Sequence, residues 1–340
     1  MGNIIRVAVD AMGGDDAPRV VVEGSVQALQ QENLHILLVG TVSMINSELS
    51  KYKFDASRLT VVASPQVIGM EEHPVAACKE KPESSIMVCA RLVKEGRADA
   101  FFSAGNTGAV VVSSLFTLGK LEGIDRPAIG VMLPTLKGFF LLVDGGATVD
   151  CKPKNLLQFA MMGSVLMEYV YGYKKPRVGL LSVGSEPTKG NELTVAAHEL
   201  IQQSKLNFIG NIEGNDIVGN KVDVLVCDGF VGNIVLKFAE NLFRAAELLV
   251  RREFVRQRIV PSVFQEAFEN FRKRVDYAEY GGMPLLGVNG VCVIGHGRSS
   301  PKAIKNAIRV ASESVSHSLN RNTIEYFKRE VLGPGKESRT

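Results

Sequence analysis

Several patterns that would assign this 340-residue chain to a common functional class are missing from it. The five cysteines form no CxxC pair and the five histidines show neither HxH nor HxxxH spacing, so the sequence predicts no metal site and no disulfide framework. We expect buried thiols in a reducing compartment, because most of the cysteines lie in apolar runs. The net charge of +3 is too small to indicate a dedicated nucleic-acid-binding protein.

The long apolar segments that carry proteins into or across membranes are also missing. Residues 1–10 contain one arginine and a short apolar run, whereas a signal peptide has an apolar core of roughly 7–15 residues. No stretch reaches the ~18 apolar residues that a membrane span requires. We therefore expect a cytoplasmic protein, and peripheral association with a membrane surface remains open.

Three catalytic and nucleotide-binding fingerprints do not occur where they would be expected. No GxGxxG follows the first predicted strand, and no GxxxxGK[ST] occurs, so neither a Rossmann nor a P-loop nucleotide site is indicated. No serine lies in a GxSxG elbow and no cysteine is visibly paired with a histidine. The sequence thus favours neither a bound cofactor nor a covalent acyl-enzyme.

The sequence does contain a regular alternation of strand and helix patterns. Residues 4–10 form a β-branched run, residues 19–31 have apolar residues at helical spacing, and the unit recurs up to a final helix predicted over residues 301–326. This alternation predicts an α/β fold with a mostly parallel sheet and helices on both faces. Adjacent strands at residues 129–143 interrupt it, which indicates either antiparallel strands or a boundary between two lobes. We expect one catalytic unit over residues 1–332 and a loose tail at 333–340.

Most predicted strands run into loops rich in glycine, serine, threonine and asparagine. Ligands of open α/β sheets bind at the carboxyl ends of the strands, where glycine allows close backbone approach and helix N-termini supply free N–H donors. One such loop is more often structural, but several together favour a shared site for a phosphate-sized anion. The candidate binding residues in these loops are Asp10, Gly13, Gly14, Asp15, Ser103, Gly105, Asn106, Thr107, Gly108, Asp144, Asn191, Asp228 and Gly232.

Two further residues in these loops have chemistry of their own. Lys189 precedes a predicted helix in a glycine-bounded loop, where its cation could meet a phosphate or an oxyanion or simply be solvated. His296 lies between two glycines and is either a general acid or base or a packed histidine.

Six stretches in order resemble the bacterial phosphate acyltransferase family of phospholipid synthesis (the PlsX family). They are VDAMGGD at 9–15, SAGNTGA at 103–109, GIDRPA at 123–128, KGNE at 189–192, DGFVGN at 228–233 and YGG at 280–282. The similarity extends from about residue 4 to the last helix. Two positions depart from the family pattern: Thr148 stands where asparagine is usual, and Asp16 where histidine is frequent.

The resemblance implies a fold like that of isocitrate and isopropylmalate dehydrogenases and phosphotransacetylases, in a homodimer. It also implies the reaction, in which inorganic phosphate and an acyl thioester of acyl carrier protein give acyl phosphate and free carrier protein. The acyl phosphate would then serve a glycerol-3-phosphate acyltransferase. By position in the matching motifs, Lys189 and Asn233 are candidates to stabilise the transition state. His296, which lies outside the six stretches, is a further candidate to protonate the leaving thiol.

A basic amphipathic helical pair is predicted at about residues 240–275. Its apolar residues and many arginines suit an anionic membrane surface, contacted through about residues 250–268, or the acidic carrier protein. A dimer interface with a basic rim is the alternative.

Three other functions remain open at this point. A phosphotransacetylase acting on coenzyme A thioesters would share the fold and the chemistry. A nicotinamide-dependent decarboxylating dehydrogenase would need acidic metal ligands and an arginine-rich site, neither of which is evident. A non-catalytic scaffold for lipid enzymes is the third alternative.

Overall fold

The computed structural model describes residues 4–31, 33–257, 265–266, 268–269 and 281–332, with only the backbone described for 331–332. Eleven strands in the described part of the chain form one sheet in the order β3-β2-β1-β4-β11-β10-β5-β6-β9-β7-β8. The strands are β1 Ile5–Asp10, β2 Leu34–Gly40, β3 Leu59–Ala63, β4 Ala100–Ser103, β5 Ala128–Pro134, β6 Phe139–Val143, β7 Val178–Leu181, β8 Phe208–Ile212, β9 Val224–Val226, β10 Met283–Leu286 and β11 Val291–Ile294.

Ten helices in the described part of the chain cover this sheet, and short 3-10 turns occur at Ala56–Arg58 and Gly214–Gly219. The helices are α1 Arg19–Gln31, α2 Val42–Leu49, α3 Pro74–Glu80, α4 Ser85–Lys94, α5 Thr107–Thr117, α6 Pro153–Tyr169, α7 Glu192–Gln202, α8 Gly229–Arg256, α9 Pro301–Ser316 and α10 Leu319–Leu332. None of these helices combines the length and the low charge that crossing a bilayer requires.

Side-chain alternation along the strands divides the apolar core between the two faces of the sheet. In β6, Phe140 and Leu142 belong to one cluster with residues of α4, α5 and α8, while Leu141 and Val143 join a second cluster with α6 and α7. A third cluster, built with α1, α2 and α9, shares the second face. Helices therefore cover both faces, and the predicted three-layer, mostly parallel architecture is confirmed.

The middle of the sheet joins two sets of parallel strands that run in opposite directions. Strand β10 is antiparallel to both β11 and β5, and β5 is antiparallel to β6. In the register between β10 and β11, Met283 pairs with Ile294, the last residue of β11. Between β10 and β5, Leu285 pairs with Ile129. The next residue of β5, Gly130, pairs with Val143, the last residue of β6. The carboxyl ends of both sets therefore meet near the centre of the sheet, where the loops that follow them can share one cleft.

The predicted elements differ from the structure at several places. The final helix is two helices, α9 and α10, because Ser318 adopts a positive φ of 51° between them. Helix α8 begins at Gly229, where Asp228 caps it, well before the helical pair predicted from about residue 240. Helix α3 and strand β10 were not predicted at all. The adjacent strands at residues 129–143 are antiparallel, which is one of the two alternatives the sequence left open.

The predicted helical pair is described mainly through α8, which extends to Arg256. Phe268 lies 5.9 Å from the Phe254 ring, measured between centroids, and the Arg251 guanidinium lies 4.7 Å from the centre of the Phe268 ring. These contacts place a residue of the second segment against α8. Residues 258–264, 267 and 270–280 lie outside the described part, as does the predicted tail at 333–340.

Candidate active site

A cleft of about 250 Å³ opens at the central junction of the sheet. Its walls come from the loops after β1, β4, β6 and β11, from the first turns of α8, and from residues near β3, β5 and β10. The lining residues are Asp15, Met70, Thr107, Ile129, Gly145, Gly146, Asn233, Leu236, Lys237, Glu240, Met283, Gly295, His296, Gly297 and Arg298.

The start of the glycine-rich loop after β4 lies behind the cleft wall. Ser103 is fully buried, and its hydroxyl donates to Asp10 Oδ2 at 2.7 Å while accepting from the Gly105 N–H at 3.1 Å. Gly13 packs against this network, since a Cβ there would lie 2.6 Å from Asp10 Oδ2. Burial raises the pKa of Asp10, and the hydrogen bond from Ser103 opposes that rise. These side chains hold the two loops together rather than facing a ligand.

The polar groups of Asn106 are also bound within the protein, and the next residue, Thr107, lines the cleft. The Asn106 side-chain oxygen accepts from the Ala109 N–H and caps α5, while its amide donates to the carbonyls of Met70 (3.0 Å) and Glu72 (2.9 Å). Thr107, at the first position of α5, lines the cleft with its hydroxyl-bearing side chain. A helix N-terminus carries unpaired N–H groups and a partial positive charge, so this end of the cleft favours an anion.

The loop after β6 is organised by the carboxylate of Asp144, which is fully buried. Its oxygens accept from the backbone N–H groups of Ile129 (2.8 Å), Gly146 (3.0 Å), Ala147 (3.0 Å) and Thr148 (2.7 Å). Burial raises the pKa of Asp144, and these backbone donors oppose the rise. Because the N–H groups bind Asp144, this loop contributes shape to the cleft and few donors.

Helix α8 supplies donors from the opposite wall. Asp228 accepts from the Val231 N–H and caps the helix, and Gly232 lets its first turn pack directly on the Asp144 backbone, where a Cβ would collide with the Asp144 carbonyl. The close packing places the Asn233 amide beside Gly146, since a Cβ on Gly146 would lie 2.8 Å from Asn233 Nδ2. Lys237 follows one turn later, so both side chains project along one edge of the cleft.

The loop after β11 completes the site with an imidazole and a guanidinium. The Gly295 N–H donates to the Ser103 carbonyl, and the Asp15 N–H donates to the Gly297 carbonyl, which fixes this loop against the other two. His296 Nδ1 accepts from the Arg298 N–H at 3.2 Å, so the neutral ring carries its proton on Nε2. Burial and the nearby Lys237 lower the pKa of His296. The imidazole is therefore neutral near pH 7 and acts as a hydrogen-bond donor.

Charge in the cleft is balanced by two ion pairs. Lys237 lies 3.0 Å from Glu240, and Arg298 lies 3.8 Å from Asp15; all four groups line the cleft. The cations are about half and three-quarters exposed, and surface pairs of this kind are worth about 0–1 kcal/mol. An entering dianion can therefore recruit both cations at little cost.

Two predicted residues lie in a different loop, after β7. Asn191 caps α7 by accepting from the Thr194 N–H at 2.9 Å. Lys189 is exposed, with its backbone bound to the Glu186 carbonyl and the Ser182 hydroxyl. Neither residue is among the described residues that line the cleft. The catalytic role of Lys189 stays a prediction.

Comparison with known proteins agrees with this architecture. The family model described as "Fatty acid synthesis protein" matches residues 5–322. A phosphate acyltransferase of Desulforamulus reducens is 51% identical over 318 residues, covering 93% of this chain and 95% of that protein. One from Pelotomaculum thermopropionicum is 48% identical over 337 residues, covering 97% and 98%.

The chain belongs to the phosphate acyltransferase family. It is accordingly an enzyme of the acyltransferase class. Among solved structures, a phosphotransacetylase from Streptococcus pyogenes aligns with a TM-score of 0.65 at 17% identity, covering 93% of this chain and 95% of that one. A 4-hydroxythreonine-4-phosphate dehydrogenase from Klebsiella pneumoniae aligns with a TM-score of 0.52 at 12% identity, covering 92% and 100%. These two similarities concern the fold.

The cysteines of this phosphate acyltransferase family member are remote from the cleft chemistry. None of the five lines the cleft, and burial raises the pKa of every thiol, to about 12 for Cys151 and Cys292. No cysteine thiolate is therefore available in the cleft as a nucleophile. In the described residues, no group of three or more His, Cys, Asp or Glu side chains is placed to hold a metal ion.

Sequence reasoning missed several residues of the cleft. Arg298 lies in a predicted binding loop but was not itself predicted to bind. Glu240 and Met70 lie in no recognised motif, although both line the cleft. The sequence left the role of Lys237 ambiguous, although it lies four residues after Asn233 on one helical face. Thr148, where the family usually has asparagine, donates its hydroxyl to the Pro127 carbonyl and supports the Asp144 loop.

Proposed function

We propose that the chain transfers an acyl group from acyl carrier protein to inorganic phosphate, giving acyl phosphate for phospholipid synthesis. The observation that carries this proposal is the set of donors around the cleft: the α5 N-terminus at Thr107 faces the Asn233 amide, the His296 imidazole and the cations of Lys237 and Arg298. Such a set binds a small oxyanion and can also stabilise a second negative charge beside it. Family membership supports phosphate and an acyl thioester as the two substrates.

In the proposed mechanism, a phosphate oxygen attacks the thioester carbonyl carbon directly. The new C–O bond forms a tetrahedral oxyanion, which collapses as the C–S bond breaks and the thiolate leaves. Holding phosphate beside the carbonyl can supply about 7–11 kcal/mol of the barrier reduction. Asn233 and the neutral His296 donate hydrogen bonds to the oxyanion, and each such donor is worth about 2.7–4 kcal/mol. The leaving carrier thiolate takes its proton after bond cleavage.

The direct experiment follows acyl phosphate and free thiol from purified protein, phosphate and an acyl carrier protein thioester. Product that forms only with phosphate supports the proposal, and faster turnover of a coenzyme A thioester would make the chain a phosphotransacetylase instead. Thiol release without phosphate, or no acyl phosphate at all, would contradict it. The latter result would favour a scaffold role.

Variants separate the candidate donors. Asn233→Ala should lower kcat by roughly 10²–10³ if its amide binds the oxyanion, while Asn46→Ala on the exposed surface of α2 should not. Lys189→Ala should lose activity and fold normally, against Lys94→Ala as the control. Wild-type turnover in Asn233→Ala or in Lys189→Ala would remove that residue from the mechanism.

Assembly and membrane association belong to the same proposal. We expect a homodimer, supported by an exposed apolar stripe on α8 that includes Phe230, Ile234 and Phe238. Phe238→Glu should convert the dimer to a monomer in light scattering, and an unchanged mass would exclude this face.

Contact with an anionic membrane through residues 250–268 is tested by liposome flotation of Val260→Glu. The enzyme that consumes the acyl phosphate would be a glycerol-3-phosphate acyltransferase.

A further inference from the structure

A second cavity, which we name the apolar groove, continues from the cleft along α8. It has a volume of about 440 Å³, in the range of roughly 300–1,000 Å³ that is usual for ligand sites. The groove shares Leu236, Lys237, Glu240, His296 and Arg298 with the cleft. The remaining described walls of the groove are Val131, Met132, Leu133, Pro134, Asn241, Phe243 and Arg244.

The walls of the groove differ in chemistry from those of the cleft. Strand alternation turns Val131 and Leu133 to the same face of β5, where they belong to one core cluster with Leu236. Phe243 is half-buried on α8, and Pro134 closes the end of β5. The single acidic residue among these described walls, Glu240, is paired with Lys237. Six apolar side chains of the groove can therefore pack against an aliphatic chain, while the cations of Lys237, Arg244 and Arg298 also line it.

The direction of the groove follows from its shared residues. His296 lines both cavities, so a carbonyl held next to the anion site leaves its substituent at the mouth of the groove. From Lys237 to Arg244, α8 advances about 10 Å, and β5 advances about 10 Å from Val131 to Pro134. With the carbonyl in that position, we expect a short acyl group to end beside Leu236 and a long one to extend over Phe243.

We propose that this groove binds the fatty acyl chain of the thioester and that its outer wall, Asn241 and Phe243, sets the preference for long chains. The inference rests on the proposed function, because it takes the thioester carbonyl to lie beside His296. A small apolar recess of about 30 Å³, lined by Met283, Ala303 and Ala307 among others, adjoins the same junction.

The test fills the outer end of the groove without altering the core. Asn241 is exposed, and its side chain donates only to the Lys237 carbonyl one turn earlier, so Asn241→Trp should fold. We expect kcat/KM for a hexadecanoyl thioester to fall by at least tenfold while acetyl and butyryl thioesters react as in the wild type. Asn46→Trp, also exposed on a helix but remote from the groove, should leave the whole profile unchanged. Phe243→Ala should weaken the selection for long chains.

A binding measurement separates this proposal from the proposed function. Displacement of a fluorescent long-chain fatty acid by hexadecanoic acid should be lost in Asn241→Trp and retained in Asn46→Trp, whether or not acyl phosphate forms. Wild-type turnover together with unchanged binding and chain-length profile in Asn241→Trp would overturn the groove proposal alone. An equal loss for all chain lengths would also overturn it, since that pattern means that the groove holds the arm of the carrier. Absence of turnover in the wild type, with binding behaving as expected, would refute only the proposed reaction.

Discussion

The role of the Asn106 side chain can be tested directly. The sequence predicts that it binds phosphate, whereas in the structure it links α5 to the loop at residues 69–72. Its oxygen caps α5 and its amide holds the Met70 and Glu72 carbonyls. Asn106→Ala removes both functions. Asn106→Ser keeps an oxygen that can cap the helix and removes the amide donors.

The expected magnitudes follow from these contacts. Loss of an N-cap costs about 1 kcal/mol, and loss of two amide N–H donors costs about 1 kcal/mol each. Asn106→Ala should therefore destabilise the protein by about 3 kcal/mol, and Asn106→Ser by about 2 kcal/mol, since its hydroxyl retains the cap. Met70, which lines the cleft, should become more mobile in both variants.

Calorimetric thermal unfolding is the assay, with the KM for phosphate measured in parallel. If Asn106 links α5 to this loop, Tm should fall in both variants and most in Asn106→Ala. The KM for phosphate should also increase somewhat as the loop loosens. An unchanged Tm in Asn106→Ala, combined with a large increase in the KM for phosphate, would refute the reasoning and restore Asn106 as a ligand.

Two other features of the site lead to measurable effects. Because the pKa of His296 is lowered, the neutral ring, which accepts from the Arg298 N–H through Nδ1, persists below pH 6.5. Further acidification places a proton on Nδ1 and removes this positioning bond, so turnover should then fall. The ratio of the wild-type pH profile to that of His296→Gln removes the titration of phosphate, and a flat ratio would exclude the imidazole. Gly232→Ala should lower the free energy of unfolding by about 1–3 kcal/mol, because a Cβ would meet the Asp144 carbonyl. Gly219→Ala should have no such effect, because the space around its Cβ is open. Equal Tm values for the two variants would show that α8 can shift without cost.

Local pattern predicted much of the fold. Helix α1 has the predicted bounds, residues 19–31, because hydrophobic periodicity and its flanking polar residues mark it clearly. Strand β10 was missed because it has four residues and contains Pro284, which lacks the N–H of a regular ladder. The break between α9 and α10 occurs at Ser318, where neither glycine nor proline marks it in the sequence.

The candidate site was predicted by region more accurately than by residue. Thr107, Asn233 and His296 line the cleft, and their roles stay predictions. Ser103 and Asn106 do not line it, because their polar groups are used by Asp10 and by the loop at 69–72, at sequence separations of 93 and 34 to 37 residues. Such long-range partners compete with a ligand for the same donors, and no local motif reveals them.

In the described sheet, β10 and β5 together connect the two oppositely directed sets of strands, and β10 has two register pairs to each of its neighbours. Thr107 and His296 belong to one half, and Asn233 and Lys237 to the other. We therefore expect the spacing between the opposing donors to depend on the twist of the sheet across these two strands. A substitution in β10 could alter the size of the anion that fits while leaving every donor in place.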